Sequence, residues 1–201
     1  MKYYLAPMEG LTTYNFRTNW NRCYGGMDKY FTPFISNRHM NSRERNDVLP
    51  EHNVGMYTVP QILTNKAEEF LSLAEQLAGY GYHEVNLNLG CPSGTVVARN
   101  RGAGFLGTPR ELEDFLDECP LEISIKTRIG MEYPDEWAPL LKIYQKFPMK
   151  ELIIHPRLQK EGYKGTPHLE AFAEAVEALQ CPLCYNGDIT SPESLTQILT
   201  K

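Results

Sequence analysis

The sequence lacks the features that mark several classes of protein. No run of about 18 apolar residues occurs in its 201 residues, and the opening MKYYLAPMEG has no basic stretch followed by an apolar one. Both facts argue against a membrane span and a secretion signal. The five cysteines form an odd, scattered set without the paired spacing of a structural zinc site. These absences predict reduced thiols, no bound metal, no membrane association and a cytoplasmic location.

An excess of positive charge is also absent. The chain has 20 basic and 25 acidic residues and a net charge of −5, so it does not coat nucleic acid through bulk charge, although a local basic face fits this total. An apolar content of 42% and a charged content of 22% are typical of folded globular proteins and exclude disorder. The length predicts a single domain, residues 1–201.

Short apolar runs rich in β-forming residues recur along the chain about every thirty residues. The predicted strands are Tyr3–Ala6, Tyr30–Ile35, Gly55–Leu63, Glu84–Leu89, Glu122–Thr127, Glu151–His155 and Pro182–Asn186.

Helices are predicted between several of these strands. The segment Asn65–Leu77 places Phe70, Leu73, Ala74 and Leu77 on one face, with Asn65 as its N-cap. Three later helices are predicted to begin at a capping hydroxyl followed by proline, at Thr108-Pro109, Thr166-Pro167 and Ser191-Pro192. Strands that alternate with helices imply parallel pairing through right-handed crossovers.

Polar or reactive residues end nearly every predicted strand. This favours a barrel over an open doubly wound sheet, because in a barrel those strand ends form one ring. Seven strand signals are present, and the sequence stops at Lys201 inside the helix expected after the seventh. We therefore predict an α/β fold of the TIM (β/α)8 type, truncated at the C-terminus to about seven β/α units. Two unpaired strand edges would favour association into oligomers.

The segment from Asn86 to Gly94 carries the strongest chemical signal. The alternation of polar and apolar residues ends at Gly90, so Cys91 lies in the loop directly after a strand, where its thiol can face a ligand. Pro92 stiffens the turn. A cysteine in such a loop acts as a nucleophile, donates a proton or only packs. Its loop position and the neighbouring Asn88 favour a chemical role.

Five short blocks at the strand ends form an ordered set, namely Leu5–Gly10, Asn88–Ser93, Lys126–Arg128, His155–Arg157 and Asn186–Ile189. In their order and spacing they resemble the tRNA-dihydrouridine synthase family, flavin-dependent enzymes that reduce a uracil ring in transfer RNA. Pro156 stands where that family commonly has glycine. The family's Gly-Arg phosphate turn after the eighth strand and its C-terminal helical domain have no counterpart in these residues.

The resemblance implies FMN at the mouth of the barrel and NADPH as the reductant. The Lys126 ammonium suits the negative charge of a reduced flavin, and the Gln61 amide suits the polar edge of its ring. Pro7 and Met8 would provide an apolar surface under the ring. The remaining residues implied in cofactor binding are His155, Asn186, Gly187 and Asp188, the last three as half of a phosphate site.

The reaction that the resemblance implies transfers hydride from the flavin N5 to carbon 6 of the uracil, while Cys91 donates a proton to carbon 5. The Cys91 thiol must then be protonated, and Asn88 would hydrogen-bond an oxygen of the uracil or the flavin. One alternative is a flavin oxidoreductase of the dihydroorotate dehydrogenase type, acting on a free pyrimidine. The other is a barrel fragment that binds FMN or RNA without catalysis; the missing eighth strand favours it and predicts weak FMN binding and poor turnover.

Basic residues concentrate in three loops, residues 36–47, 91–108 and 155–167. These loops hold eight basic and three acidic residues, a net charge of +5, which leaves −10 for the rest of the chain. A basic mouth suits tRNA and predicts salt-sensitive binding, although any phosphate-binding barrel has basic loops. The predicted RNA contacts are Arg38, Arg99, Arg101, Arg157, Lys160 and Lys164. Tyr163 is interpreted as a stacking partner for an extruded base or as an ordinary surface aromatic.

Overall fold

The computed structural model describes residues 1–200. Its strands are β1 (Tyr4–Leu5), β2 (Lys29–Ile35), β3 (Thr58–Ile62), β4 (Asn86–Leu89), β5 (Ile123–Thr127), β6 (Met149–Ile154) and β7 (Leu183–Tyr185). Its helices are α1 (Tyr14–Cys23), α2 (Ser42–Val48), α3 (Ala67–Gly79), α4 (Gly94–Val97), α5 (Pro109–Asp117), α6 (Trp137–Tyr144), α7 (Leu169–Ala178) and α8 (Pro192–Leu199). Short 3-10 turns occupy Pro50–His52, Gly102–Gly107, Pro134–Glu136 and Gln159–Glu161.

The seven strands belong to one sheet whose order follows the chain, from β1 to β7. Each registered pair is parallel. Parallel strands in chain order, alternating with helices, are the arrangement of a TIM-type β/α barrel, here with seven β/α units. The predicted fold class is therefore confirmed. All seven predicted strands are present, with ends that differ by at most three residues. No helix among residues 1–200 is long and apolar enough to cross a bilayer.

The chain separates into two compact units, Met1–Leu87 and a second unit that starts at Asn88. In the first unit, the buried side chains of Phe31, Val59 and Leu87 lie on the sheet, and the face of α3 that carries Phe70 is buried. Burying each of these side chains contributes about 1.5–3 kcal/mol. The predicted apolar face of α3, which includes Phe70 and Leu77, is confirmed.

Pro33 shapes the sheet of the first unit. The register of β2 against β3 shifts between Phe31 and Phe34, around Pro33, which has no N–H to donate. The Thr32 hydroxyl bridges this irregularity, because it donates to the Pro33 carbonyl at 2.8 Å and accepts the backbone N–H of Gln61 at 3.1 Å. The backbone of Gln61 is thereby fixed within β3.

A buried arginine fixes the turn after β1. The Arg17 guanidinium, which is fully buried, donates to the Thr12 carbonyl at 2.7 Å, the Asp47 carbonyl at 2.5 Å and the Asn53 Oδ1 at 3.0 Å. Its Nη1 also lies 3.7 Å from the Asp47 carboxylate. Burial lowers the pKa of Arg17 to about 10, and Asp47 opposes that shift. One cation therefore joins the β1 turn, α2 and the 3-10 turn that follows α2.

In the second unit, β5, β6 and β7 pair in parallel over a buried core that includes Ile125, Leu152 and Ile154. Leu112 of α5 and Leu140 of α6 are also buried in that unit. The carboxyl ends of these parallel strands meet at one edge of the sheet. The residues that follow β5, β6 and β7 are consequently close in space.

Two of the predicted helix starts are wrong, and one lacks its predicted cap. Helix α3 begins at Ala67, not Asn65, because the Thr64 hydroxyl accepts the Lys66 N–H in a turn just before it. Helix α7 begins at Leu169, two residues after Pro167, because the His168 N–H is held by the Pro156 carbonyl at 2.7 Å. Helix α5 begins at Pro109 as predicted, but the Thr108 hydroxyl donates to the Phe105 carbonyl and does not cap it.

The predicted start of α8 is confirmed. Pro192 is its first residue, and the Ser191 hydroxyl accepts the Ser194 N–H at 3.2 Å.

Candidate functional site

The loop after β4 is shaped by Asn88. Its Oδ1 accepts the backbone N–H of Gly90 and of Cys91, both at 3.0 Å, which forms an Asx-type turn. Asn88 itself is buried, while Cys91 is partly exposed. The turn therefore places Cys91 just beyond the end of the strand.

Glycine at position 102 lets the chain approach Cys91 closely. The Gly102 backbone has a φ of +57°, and a Cβ there would lie 2.9 Å from the Cys91 carbonyl oxygen and 2.9 Å from Cγ1 of Val96. The next residue, Ala103, donates its N–H to the same carbonyl at 3.1 Å. The 3-10 turn thus packs directly behind Cys91, in a space that a larger residue does not fit.

Arg128 connects the Cys91 loop to the loop after β6. Its Nε donates to the Gly90 carbonyl at 2.8 Å, and its Nη1 donates to the carbonyls of Leu158 at 3.0 Å and Gly162 at 2.8 Å. The side chain is 1% exposed, and no carboxylate within residues 1–200 forms an ion pair with it. Burial lowers the pKa of Arg128, and Arg157 adds to that shift. The site therefore contains a buried positive charge without a carboxylate partner.

Lys126 in β5 is the second cation of this region. Burial, helped by the neighbouring Arg128, lowers the pKa of its ammonium to about 8, while Cys184 and Cys91 oppose the shift. The backbones of Gly90 and Lys126 lie close together, because a Cβ on Gly90 would lie 3.6 Å from the Lys126 carbonyl oxygen.

His155 and Arg157 follow β6 and are both buried, at 6% and 1% exposure. The His155 Nε2 lies 3.1 Å from Nη1 of Arg157. The same guanidinium makes a bidentate ion pair with Asp188 of the loop after β7, at 3.1 and 2.6 Å. Burial lowers the pKa of His155 to about 3, with further lowering by Lys126, Arg128 and Arg157, so the imidazole is neutral at physiological pH.

Tyr163 lies over this group and is 70% exposed. Its ring centroid is 5.5 Å from the Arg128 guanidinium and 6.1 Å from the centroid of the His155 ring, at an interplanar angle of 29°. Stacking on the cation holds the ring at the surface of the site. Both interpretations of Tyr163, a stacking partner for a base and a surface aromatic, stay predictions.

The remaining cofactor residues predicted in the second unit follow β7. Asn186 donates its backbone N–H to the Ile154 carbonyl at 2.9 Å, so this loop starts beside the end of β6. A Cβ on Gly187 would collide with the Tyr185 ring, and only glycine leaves that ring in place. Asp188 is 57% exposed and bound to Arg157. The second unit thus brings Asn88, Cys91, Lys126, His155 and the 186–188 loop to one edge of its sheet.

The cofactor residues predicted in the first unit have separate positions. Pro7 is partly exposed and Met8 is half exposed, in the turn closed by Thr12. Gln61 is fully buried in β3, where its Nε2 donates to the Asn86 Oδ1 at 2.8 Å. Their role in cofactor binding stays a prediction.

The predicted RNA contacts divide by exposure. Arg38, which pairs with Glu68 at 3.2 Å, is exposed in the first unit. In the second unit Arg99, Lys160 and Lys164 are exposed and Arg101 is partly exposed. Arg157 differs, because its guanidinium is buried among protein acceptors. Its contact with RNA stays a prediction to which this environment gives no support.

Two residues of the site were not predicted from the sequence. Arg128 was noted only as part of the Lys126–Arg128 block, and its contacts to three backbone carbonyls depend on loops distant in the chain. Gly102 lies in a glycine-rich segment, which signals a tight backbone but does not say what packs against it.

Comparison with known proteins places these residues in a family context. A family model described as dihydrouridine synthase matches residues 4–201. The chain belongs to the dihydrouridine synthase family. The resemblance stated from the five sequence blocks is thereby confirmed.

Individual dihydrouridine synthases show the same relationship. A probable tRNA-dihydrouridine synthase of Staphylococcus epidermidis is 30% identical over 98% of this chain and 64% of its own length. A probable tRNA-dihydrouridine synthase of Staphylococcus aureus is 30% identical over 98% of this chain and 63% of its own. A tRNA-dihydrouridine(16) synthase of Pseudomonas putida is 30% identical over 94% of this chain and 62% of its own. The chain thus spans less than two thirds of the length of these relatives.

Proposed function

We propose that this chain is the FMN-binding part of an enzyme that reduces a uridine in tRNA to 5,6-dihydrouridine, with NADPH as the reductant. The observation that carries the proposal is the contact between Arg128 and the Gly90 carbonyl. This contact holds the residue before Cys91 against the end of β5, where Lys126 lies. A thiol and an ammonium would therefore flank one position at the edge of the sheet.

The chemistry of the donor set supports FMN as the group bound there. Lys126, Arg128 and Arg157 are cations, His155 is neutral, and Asp188 is the carboxylate that pairs with Arg157. This excess of positive charge stabilises an anionic ring or phosphate. Lys126 and His155 would hold the flavin ring, and the loop that contains Asn186 and Gly187 would hold its phosphate. When bound, FMN would accept hydride from NADPH and supply hydride to carbon 6 of the uracil.

Cys91 would act at carbon 5, the other carbon of the uracil double bond. Its thiol donates a proton to carbon 5, and the product gains one hydride and one proton in total. A proton donor has to be protonated when it acts, in contrast to a nucleophilic cysteine. Lys126 would restore the proton to the thiol or hold the charge of the uracil oxygen, because an ammonium with a pKa of about 8 is mostly protonated at neutral pH.

Binding of tRNA would use the exposed cations of the same edge. Arg99 follows α4, and Lys160 and Lys164 lie on the loop that also holds Tyr163. Cations contact phosphates without sequence preference, while an exposed ring stacks on a base turned out of its helix. The Tyr163 ring beside Arg128 suits the second role.

The proposal is tested with the purified chain in three successive measurements. The first is the absorbance spectrum after incubation with FMN, which is expected to show the bands of a protein-bound flavin. The second is bleaching of those bands by NADPH, and the third is their recovery on addition of tRNA that lacks dihydrouridine, with a gain of two hydrogens per modified uridine in the mass of the RNA. Recovery with a free pyrimidine instead of tRNA would overturn the choice of substrate. Failure to bind flavin at all would overturn the assignment of the cofactor.

A further inference from the structure

We infer that Arg157 is a positioning residue, which fixes the imidazole of His155 as the tautomer that carries its proton on Nδ1. The observation behind this inference is that every N–H of the guanidinium has a protein acceptor. It goes beyond the proposed reaction by assigning a role to a residue that touches neither cofactor nor substrate in it. The tautomer is inferred from hydrogen-bond geometry alone, whereas its use in the reaction rests on the proposed function.

The five N–H groups of an arginine can be accounted for one by one. Nε donates to the Lys164 carbonyl at 3.1 Å. Nη2 donates to the Gly165 carbonyl at 2.6 Å and to Oδ2 of Asp188 at 2.6 Å. Nη1 donates to Oδ1 of Asp188 at 3.1 Å and has one N–H left. The acceptor for that last N–H is Nε2 of His155, at 3.1 Å.

A guanidinium has no acceptor atom, so the direction of this last hydrogen bond is fixed. Nε2 of His155 must offer its lone pair, and a neutral imidazole then carries its single proton on Nδ1. The environment keeps the ring neutral, because it is 6% exposed and is faced by the cations Lys126, Arg128 and Arg157, with Asp188 as the opposing charge. Within residues 1–200, Nδ1 has no hydrogen-bond partner. It is therefore the one N–H donor that His155 presents.

A neutral ring of fixed tautomer performs a narrower task than an ordinary histidine. It donates one hydrogen bond from Nδ1 to an oxygen atom of a bound ring, and it does not move protons, because Nε2, the nitrogen that would have to accept one, is occupied by the Arg157 N–H. In the proposed reaction this leaves Cys91 as the proton donor and makes His155 a fixed polar contact. Asp188 contributes indirectly, because its bidentate pair orients the guanidinium that holds the ring.

The tautomer is tested directly by NMR on the unaltered chain labelled with ¹⁵N-histidine. We expect a pyridine-type signal for Nε2 of His155 and a pyrrole-type signal for Nδ1. His168 is an internal reference of opposite tautomer, because its Nε2 donates to the Glu161 carboxylate at 2.9 Å. A pyrrole-type Nε2 on His155 overturns the inference, whatever the enzyme does.

The role of Arg157 is tested by Arg157→Met, compared with Asp188→Asn. Removing the guanidinium is expected to return His155 to a mixture of tautomers, while Asp188→Asn leaves the donor to Nε2 in place and keeps the Nδ1–H form. If Arg157→Met does not fold, Arg157→Lys is used instead, because it keeps the positive charge beside Asp188. We expect part of the His155 population to carry its proton on Nε2 in that variant. An unchanged tautomer in a folded Arg157 variant overturns the assignment of Arg157.

The use of Nδ1 is tested by a matched pair of amides at position 155. Asparagine places its amide nitrogen near the position of Nδ1, and glutamine places it near Nε2. We expect His155→Asn to retain a kcat for uridine reduction about tenfold above that of His155→Gln, the effect of one hydrogen bond. The reverse order overturns the role of Nδ1. If the unaltered chain has the Nδ1–H tautomer and reduces no uridine, the proposed function fails while the assignment of the tautomer holds.

Discussion

Arg128 donates a hydrogen bond of 2.8 Å to the carbonyl oxygen of Gly90, a residue 38 positions earlier in the chain. Since Cys91 is the next residue, this bond ties the Cys91 loop to the end of β5, in addition to the Asn88 turn and the packing of Gly102. The same guanidinium binds two carbonyls of the loop that holds Tyr163. The chemical group and the stacking group of the proposed site thus depend on a common anchor.

Replacement of Cys91 by alanine should separate chemistry from binding. Flavin binding is expected to persist, while formation of dihydrouridine falls by about 10²–10⁴, the usual contribution of a general acid. The product is measured by mass spectrometry of the tRNA. Cys119→Ala is the matched control, because Cys119 is a buried packing residue and its loss should leave turnover unchanged. Loss of flavin with retained reduction would contradict the role of Cys91.

Replacement of Gly102 by alanine should destabilise the second unit. The backbone there has a φ of +57°, and a Cβ would lie 2.9 Å from the Cys91 carbonyl oxygen, so both strain and a clash oppose the change. We expect the free energy of unfolding to fall by about 1–3 kcal/mol in a urea titration. Gly94→Ala is the control, since a Cβ on Gly94 meets nothing within 4 Å. Equal stability of the two variants would refute this account.

The buried Arg17 should be essential for the stability of the first unit. Arg17→Met leaves the Asp47 carboxylate buried without its cation, and we expect a loss of about 3–5 kcal/mol in the free energy of unfolding. Arg22→Met removes the same charge from an exposed position of the same helix and should change stability by less than about 0.5 kcal/mol. Thermal unfolding of both variants checks this, and similar melting temperatures would argue against the Arg17 network.

Acid should destabilise the protein through His155. Its folded pKa of about 3 lies below the unfolded value, so the unfolded chain binds a proton first as the pH falls, and stability is lost from about pH 6.5 down to about pH 3. Between pH 7 and pH 5 we expect this loss to be about 2 kcal/mol larger in the unaltered chain than in His155→Asn. Urea titrations at the two pH values measure it. Parallel acid dependence of the two proteins would contradict a buried neutral His155.

The exposed cations Arg99 and Lys164 should control the affinity for tRNA. Replacing either by glutamine removes one phosphate contact, which should weaken binding at low salt and reduce the slope of log K against log salt by about 1. Filter binding over a range of salt concentrations measures both quantities. Lys142→Gln, which removes an exposed charge from α6, should leave the slope unchanged. A slope that responds equally to Lys142 would place the RNA elsewhere.

The fold was predictable because its signals are local. Each strand is a short run of β-forming residues, and a parallel sheet in chain order needs no long-range information beyond the alternation with helices. The helix starts were less predictable. Thr166-Pro167 has the sequence of a cap, yet a tertiary bond from the His168 N–H to the Pro156 carbonyl delays the helix to Leu169.

The candidate reactive residues could be named from the sequence, but the contacts that support them could not. Cys91 and His155 come after predicted strands and Lys126 lies near the end of one, and that position together with the family resemblance marked them as candidates. The contacts of Arg128, and the saturation of Arg157 by acceptors from its own loop, His155 and Asp188, arise only when distant loops meet. Sequence therefore assigned Arg157 to RNA, because an arginine in a basic loop has no visible partner until the chain is folded.

The strand order of the sheet also bears on how the protein is made. Since each registered strand pairs with a neighbour in the chain, every strand that leaves the ribosome finds its earlier partner already synthesised. Arg17 reaches its last acceptor, Asn53, well before the Cys91 loop is translated. The amino-terminal unit can accordingly fold during translation, ahead of the residues that are proposed to perform the chemistry.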